Sequence, residues 1–161
     1  MTEKYKIAAE NLAKAADIAI TVFQKFPPQG WKEHYVSKEK KQITHFIDLY
    51  KEWKHNFLNP QPKFATMQSL KYDIDSIFTY FQEGHGNCVE EFWKEIKSQN
   101  LPYKRENKMV KILKRKKIKD INEYDFVIDV IVPYEQEGLI THDQVTLLND
   151  FIAQFEAKKK K

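Results

Sequence analysis

Residues Tyr134-Glu-Gln-Glu-Gly-Leu-Ile-Thr-His-Asp-Gln-Val145 carry the stop signal of one helix and the start signal of the next. Gly138 can adopt the left-handed conformation that ends a helix, and Leu139 can then fold back onto Tyr134. Thr141 is a suitable N-cap, and Gln144, three residues later, completes a capping box. The stretch therefore predicts a helical hairpin.

The segment before this hairpin could be a strand or a helix. Phe126-Val-Ile-Asp-Val-Ile-Val132 is rich in β-branched residues, which is typical of a buried strand. No second segment of similar quality is present to pair with it. We therefore predict a helix with a break or kink at Pro133, because proline removes the hydrogen bond to the carbonyl of Asp129.

Apolar residues at helical spacing predict further helices on both sides of a basic segment. Four helices are expected before the basic segment. Three of them cover about 2–26, 37–58 and 66–83, and the fourth begins at residue 87 and ends at 100–102. A fifth is expected over about 106–116, a sixth from Asp120 and a seventh from His142. Ser37, Asn87 and Asp120 are the expected N-caps of three of them.

This order of helices predicts an all-α protein. We expect an antiparallel four-helix bundle over residues 1–101. A small three-helix lobe at 104–161 follows, and we expect it to pack on the bundle as one domain. With 161 residues and 42% apolar residues, the chain can bury a core without a metal or a disulfide.

The charge is distributed in blocks, although the net charge is only +4. Residues 104–119 carry nine basic side chains and one acid, and residues 120–156 carry nine acids and no Lys or Arg. A basic segment of this kind is typical of nucleic-acid binding, and Tyr103 could add stacking on bases. The candidate nucleic-acid contacts are Lys104, Arg105, Lys108, Lys111, Lys114, Arg115, Lys116 and Lys117.

The acidic hairpin offers an alternative role for these charges. Asp125, Asp129 and neighbouring acids could lie against the basic helix and neutralise it within the chain. We expect this masked arrangement, with little nucleic-acid binding at physiological salt.

The hairpin resembles half of an EF-hand, with Gly138 and Ile140 at the glycine and the central apolar positions of the loop. The resemblance places Pro133 at the first ligand position and Gln144 at the twelfth. Calcium requires a carboxylate at both positions, so we predict a hairpin without calcium.

Two other groups of residues could hold a metal. His45, Asp48, Glu52 and His55 share one helix face, but this face lies opposite the apolar stripe and should point to solvent. His85 and Cys88 lie close together, yet zinc needs four ligands and the chain has no second cysteine. We expect no metal and no cofactor, and we note that a helix start could lower the pKa of the Cys88 thiol.

Trp31 and Tyr35 follow a Pro-Pro-Gln-Gly loop and are the candidate anchors for a protein partner. No motif for catalysis or phosphate binding is present, so we expect a small cytoplasmic interaction or regulatory protein that binds another macromolecule, most simply a protein. Nucleic-acid binding is the alternative, and a metal-dependent enzyme is a remote one. We expect no membrane span, because no apolar run is long enough.

Overall fold

A computed structural model describes the backbone of residues 1–28 and 36–160 and the side chains of residues 1–28 and 46–160. No β-strand occurs in these residues, which confirms the predicted all-α class. The described α-helices are α1 Glu3–Lys25, α2 Val36–Leu58, α3 Met67–Glu83, α4 Asn87–Ser98, α5 Met109–Arg115, α6 Ile121–Gln136 and α7 His142–Lys159. None of the helices in this part of the chain is both long and apolar enough to cross a membrane.

The chain divides into two compact units, Met1–Lys104 and Arg105–Lys161. The first unit contains α1 to α4 and a short 3-10 helix, Pro62–Phe64, between α2 and α3. The second unit contains α5 to α7. Each unit has its own cluster of buried apolar side chains, so each has a core of its own.

Helix α1 is the centre of the first unit and contacts α2, α3 and α4. Its Ala15, Ala16 and Ala19 are fully buried, because a methyl side chain lets a neighbouring helix approach closely. Near its end, Phe23 contacts the rings of Tyr50 on α2 and Phe81 on α3, with centroids 5.4 Å apart in both cases. The first unit is therefore a helical bundle around α1 with an aromatic core.

Polar atoms on buried or partly buried aromatic side chains connect the helices of this bundle. Three aromatic side chains each donate a hydrogen bond to a backbone carbonyl of another helix, which satisfies a group that burial would otherwise destabilise. The bonds run from Tyr5 Oη to Phe57 O at 2.8 Å, from Tyr50 Oη to Ile77 O at 2.7 Å and from Trp93 Nε1 to Phe81 O at 2.9 Å.

The predicted helix starts are partly correct. Asp120 is the N-cap of α6, and its carboxylate accepts from the backbone N–H of Glu123 at 2.9 Å. The prediction that Asn87 caps α4 is wrong, because the N-cap is Gly86, whose φ of +99° suits glycine. Ser37 is not an N-cap either, since α2 already begins at Val36.

The hairpin between α6 and α7 is confirmed in detail. Gly138 has a φ of +75°, and the backbone N–H of Leu139 donates to Tyr134 O at 2.9 Å. Thr141 is the N-cap of α7 and forms the reciprocal capping box with Gln144. The local stop and start signals are therefore sufficient to place this turn.

Helix α6 settles the choice between strand and helix for residues 126–132. It runs through Pro133 to Gln136, so of the predicted break or kink at Pro133 the break does not occur. Its buried residues recur at helical spacing, which is the pattern of a helix packed on one side against a core. They are Val127, Val130, Ile131 and Tyr134.

Helix α5 is shorter than the predicted 106–116. Asn107 folds its side chain back and accepts from the backbone N–H of Met109 at 3.1 Å, just before the helix begins. Lys116 follows the helix in the left-handed conformation, with a φ of +63°. These two residues confine α5 to seven residues.

We expect substitutions at the hairpin to test its local signals separately. Gly138→Val should lower the free energy of unfolding by about 1–2 kcal/mol, because a side chain strains the left-handed conformation. Thr141→Ala should cost about 1 kcal/mol as a lost N-cap. Circular dichroism melts measure both, because they follow the loss of helix.

Gly138→Asn is the matched control for the valine variant. Asparagine already occupies the left-handed position after α4, where Asn100 has a φ of +53°. The asparagine variant should therefore retain most of the stability, and equal losses for valine and asparagine would contradict this account of the turn.

Candidate interaction surfaces

The first arginine of the basic segment is an internal structural residue. Arg105 forms an ion pair with Glu137, and its side chain is only 4% exposed. Its guanidinium also lies 5.1 Å from the ring centroid of Tyr134. Arg105 therefore ties the chain before α5 to the end of α6, and it is not presented to an outside phosphate.

The second arginine is paired as well. Arg115 Nη2 lies 2.5 Å from Glu123 Oε2, and the same oxygen accepts from the backbone N–H of Lys119 at 3.0 Å. The acids that neutralise the two arginines are thus Glu137 and Glu123. The sequence predicts masking by Asp125, Asp129 and neighbouring acids. Among the ion pairs of described residues, the neighbouring Glu123 contributes, whereas the exposed Asp125 and Asp129 do not.

Most lysines of the segment remain solvated. Lys108 is half-buried, and the exposed Lys119 lies 4.0 Å from Glu123. Five other exposed lysines take part in none of the ion pairs between described residues. These five are Lys104, Lys111, Lys114, Lys116 and Lys117. Lys104 belongs to the first unit, and the other four lie on and after α5.

Tyr103 is not available as a stacking platform for bases. Its ring lies 4.5 Å from that of Phe78, between centroids, and packs against the core of the first unit. Burial raises the pKa of its hydroxyl to about 12. The expected aromatic contribution to nucleic-acid binding is therefore absent at this residue.

Helix α6 presents a second apolar face that the sequence reasoning missed. Ile121, Ile128 and Val132 are 41%, 45% and 61% exposed. Their spacing of seven and four residues places them in one row along the helix, since successive residues advance by about 100°. We call these three residues the α6 stripe.

Carboxylates border this stripe on both sides. By the same helical angles, Asp125 and Asp129 lie on one side of it and Glu135 lies on the other. All three side chains are exposed. The outward face of α6 is therefore aliphatic in the middle and acidic at the edges. The sequence contained a signal for this second face. Residues 121–132 are apolar over more of the helix circumference than one buried face requires.

The candidate metal ligands on α2 point to solvent where they are described. Asp48, Glu52 and His55 are exposed, and the side chain of His45 lies outside the described residues. Within the described side chains, no group of three or more His, Cys, Asp and Glu is placed to hold a metal ion. Metal-free protein remains a prediction.

The EF-hand resemblance also ends at the hairpin geometry. Only two carboxylates remain as possible calcium ligands, and one of them, Glu137, is engaged by Arg105. The second, Glu135, is exposed and lies 3.4 Å from His142 Nδ1. These contacts leave no set of oxygen ligands of the kind that calcium requires.

Cys88 is buried at the start of α4, and His85 nearby is exposed. Burial raises the pKa of the Cys88 thiol to about 12. The suggestion that the helix start lowers this pKa is therefore wrong, because burial of the thiol raises it. Cys88 acts as a small apolar residue in the bundle core.

The candidate partner anchors Trp31 and Tyr35 lie outside the described residues. Comparisons with protein-family models, with curated proteins and with solved structures find no match to this chain.

Arg105→Met should lower the free energy of unfolding by about 3–5 kcal/mol, because it leaves the partly buried Glu137 without its guanidinium. Urea unfolding followed by circular dichroism measures this. Lys54→Met is the control, since its ion pair with Asp17 at 2.7 Å is far more exposed. The control should cost at most about 1 kcal/mol. Similar losses in both variants would show that burial does not decide the strength of these pairs.

The Cys88 thiol should resist alkylation in the folded protein. At pH 8, a pKa raised to about 12 leaves almost no thiolate, and the thiolate is the reactive form. We expect iodoacetamide to label Cys88 at least about a hundredfold more slowly than in guanidinium-unfolded chain. Mass spectrometry of timed samples measures the two rates. Rapid labelling of folded protein would contradict the buried position.

Proposed function

We propose that this chain is a non-catalytic protein that binds another protein through the outward face of α6. The observation that carries the proposal is the α6 stripe, an aliphatic row on a helix whose opposite side already packs into the core. Contiguous exposed apolar residues with a polar rim are typical of interaction sites.

The size of the stripe sets the expected affinity. Full burial of an aliphatic side chain contributes about 1.5–3 kcal/mol, and each member of the stripe is already partly covered. Association also costs several kcal/mol in lost translational and rotational freedom. The stripe with its acidic rim therefore supports a transient complex with a dissociation constant on the order of micromolar.

The acidic rim specifies the chemistry of the partner. Asp125, Asp129 and Glu135 would repel an acidic surface and attract lysine or arginine side chains at both edges of the stripe. An amphipathic helix with an apolar row and basic flanks matches both features. We propose this class of partner, and we place the interaction in the cytoplasm, as expected from a single cysteine that forms no disulfide.

Designed peptides test the proposal directly. A fluorescent amphipathic helix with a leucine row and lysine flanks should bind the full chain, whereas the same peptide with glutamate flanks should not. Fluorescence anisotropy measures both affinities. Ile128→Asp should weaken binding of the basic peptide by at least about tenfold, because it places a charge in the middle of the apolar contact.

Ile7→Asp is the matched control. Ile7 is an exposed aliphatic residue on α1, in the first unit, and is 53% exposed. The control should bind the peptide like the unchanged chain. Equal binding of the basic and acidic peptides, or an equal loss in both aspartate variants, would refute the proposal.

Nucleic-acid binding is the second candidate, and the exposed lysines on and after α5 support it. Four phosphate contacts would weaken binding to duplex DNA by about 150-fold between 50 and 200 mM salt, given a slope near −0.9 per phosphate. Filter binding at both salt concentrations measures this. The variant to compare carries glutamate at Lys111, Lys114, Lys116 and Lys117.

A second fourfold variant controls for net charge. It carries glutamate at exposed lysines of the first unit, which are Lys4, Lys6, Lys71 and Lys94. Submicromolar binding at 150 mM salt that only the α5 variant abolishes would favour nucleic acid over a protein partner. Equal loss in both variants would indicate a non-specific effect of net charge.

A further inference from the structure

A groove of about 620 Å³ lies in the first unit, where the end of α2, the connection after it and the first turns of α3 meet. Tyr5 of α1, Asn59 and Gln61 are among the residues that line it. Its volume falls in the range of small-molecule sites. The groove is independent of α6, which belongs to the other unit.

Among the described residues that line the groove, Asp73 alone carries a charge at neutral pH. It is half-buried on α3, and its carboxylate has no hydrogen-bond or ion-pair partner among the residues that the structure describes. Burial raises the pKa of Asp73. Burial also raises the pKa of Tyr5, and the charge of Asp73 raises it further. A positive charge in the groove would offset this cost of desolvation.

Two exposed aromatic rings line the same groove. Phe64 is 50% exposed and Tyr72 is 70% exposed. The face of an aromatic ring attracts cations. The ammonium of Lys63 already lies 4.8 Å from the centroid of Phe64, so a ligand cation competes with Lys63 at this ring but not at Tyr72. Aromatic rings and one carboxylate in one groove are the groups that recognise an organic cation.

We propose that this groove binds an alkylammonium group, with Asp73 as its counter-ion and Tyr72 and Phe64 as its aromatic contacts. The group belongs either to a free amine or to a lysine side chain of a peptide. An anionic ligand does not fit, because Asp73 would repel it. A neutral apolar ligand would deepen the burial of Asp73 without offsetting its charge.

Choline and 3,3-dimethyl-1-butanol separate charge from shape, because the alcohol is the neutral isostere of choline. Both are titrated into the full chain and followed by amide chemical shifts in ¹H–¹⁵N spectra. We expect choline to shift the amides of Tyr72, Asp73 and Asn59 and to bind at least about tenfold more tightly than the alcohol.

Substitutions on α3 identify the counter-ion. Asp73→Asn should weaken choline binding by about tenfold, because it keeps the shape and removes the charge. Asp75→Asn is the matched control, since Asp75 is exposed on the same helix and does not line the groove. Tyr72→Leu should weaken binding several-fold through loss of the ring face.

A third titration distinguishes the two sources of the ammonium group. Short peptides with a central lysine or trimethyllysine between glycines are compared with choline. Tighter binding of a peptide assigns the groove to a partner chain, and tighter or equal binding of choline assigns it to a free amine. The proposal is overturned if none of these probes binds, if choline and the alcohol bind equally, or if the two asparagine variants behave alike. None of these results bears on the α6 peptide experiment.

Discussion

A buried hydrogen-bond donor must find an acceptor, and this constraint determines how the helices of the first unit meet. Tyr5, Tyr50 and Trp93 each carry a large ring into the core together with one polar atom. Each polar atom donates to a backbone carbonyl on a helix other than its own. These bonds fix the position of each helix along its axis as well as its lateral packing. Apolar contacts alone are not directional and would tolerate sliding. The aromatic core therefore specifies one arrangement of the helices, because the polar atoms of its side chains have hydrogen-bond partners.

The second unit applies the same rule around Tyr134. The Tyr134 hydroxyl donates to Glu106 O at 3.3 Å, and its backbone carbonyl accepts from the N–H of Leu139 in the turn after α6. Arg105 lies beside its ring and pairs with Glu137. One buried side chain thus joins the segment before α5 to the hairpin, and the charged pair next to it keeps the arginine in place.

This arrangement divides the basic segment into two chemical roles. The arginines are paired with glutamates, which suits a planar guanidinium that can donate several hydrogen bonds at once. Most of the lysines stay in water, where a flexible, strongly hydrated ammonium costs least. The segment therefore stabilises the fold and keeps a positive surface at the same time. Each unit also carries a separate surface. The α6 stripe in the second unit is an apolar row with acidic edges, and the groove beside Asp73 in the first unit is lined by aromatic rings.

The sequence by itself determined the features that depend on neighbours along the chain. The all-α class, the turn at Gly138 and the caps at Asp120 and Thr141 depend on residues fewer than six positions apart. The helix over 126–132 was correctly preferred because the sequence holds no second segment that could pair with it as a strand, although the proline break was not correct. Only the tertiary structure decided which charges are paired and which apolar residues stay exposed. Arg105 and Glu137 are 32 residues apart, and no periodicity shows that they meet. In the sequence, the α6 stripe cannot be distinguished from buried core residues, because its exposure depends on whether another helix covers it. The groove at Asp73 combines residues from three helices and a connection, which only packing brings together.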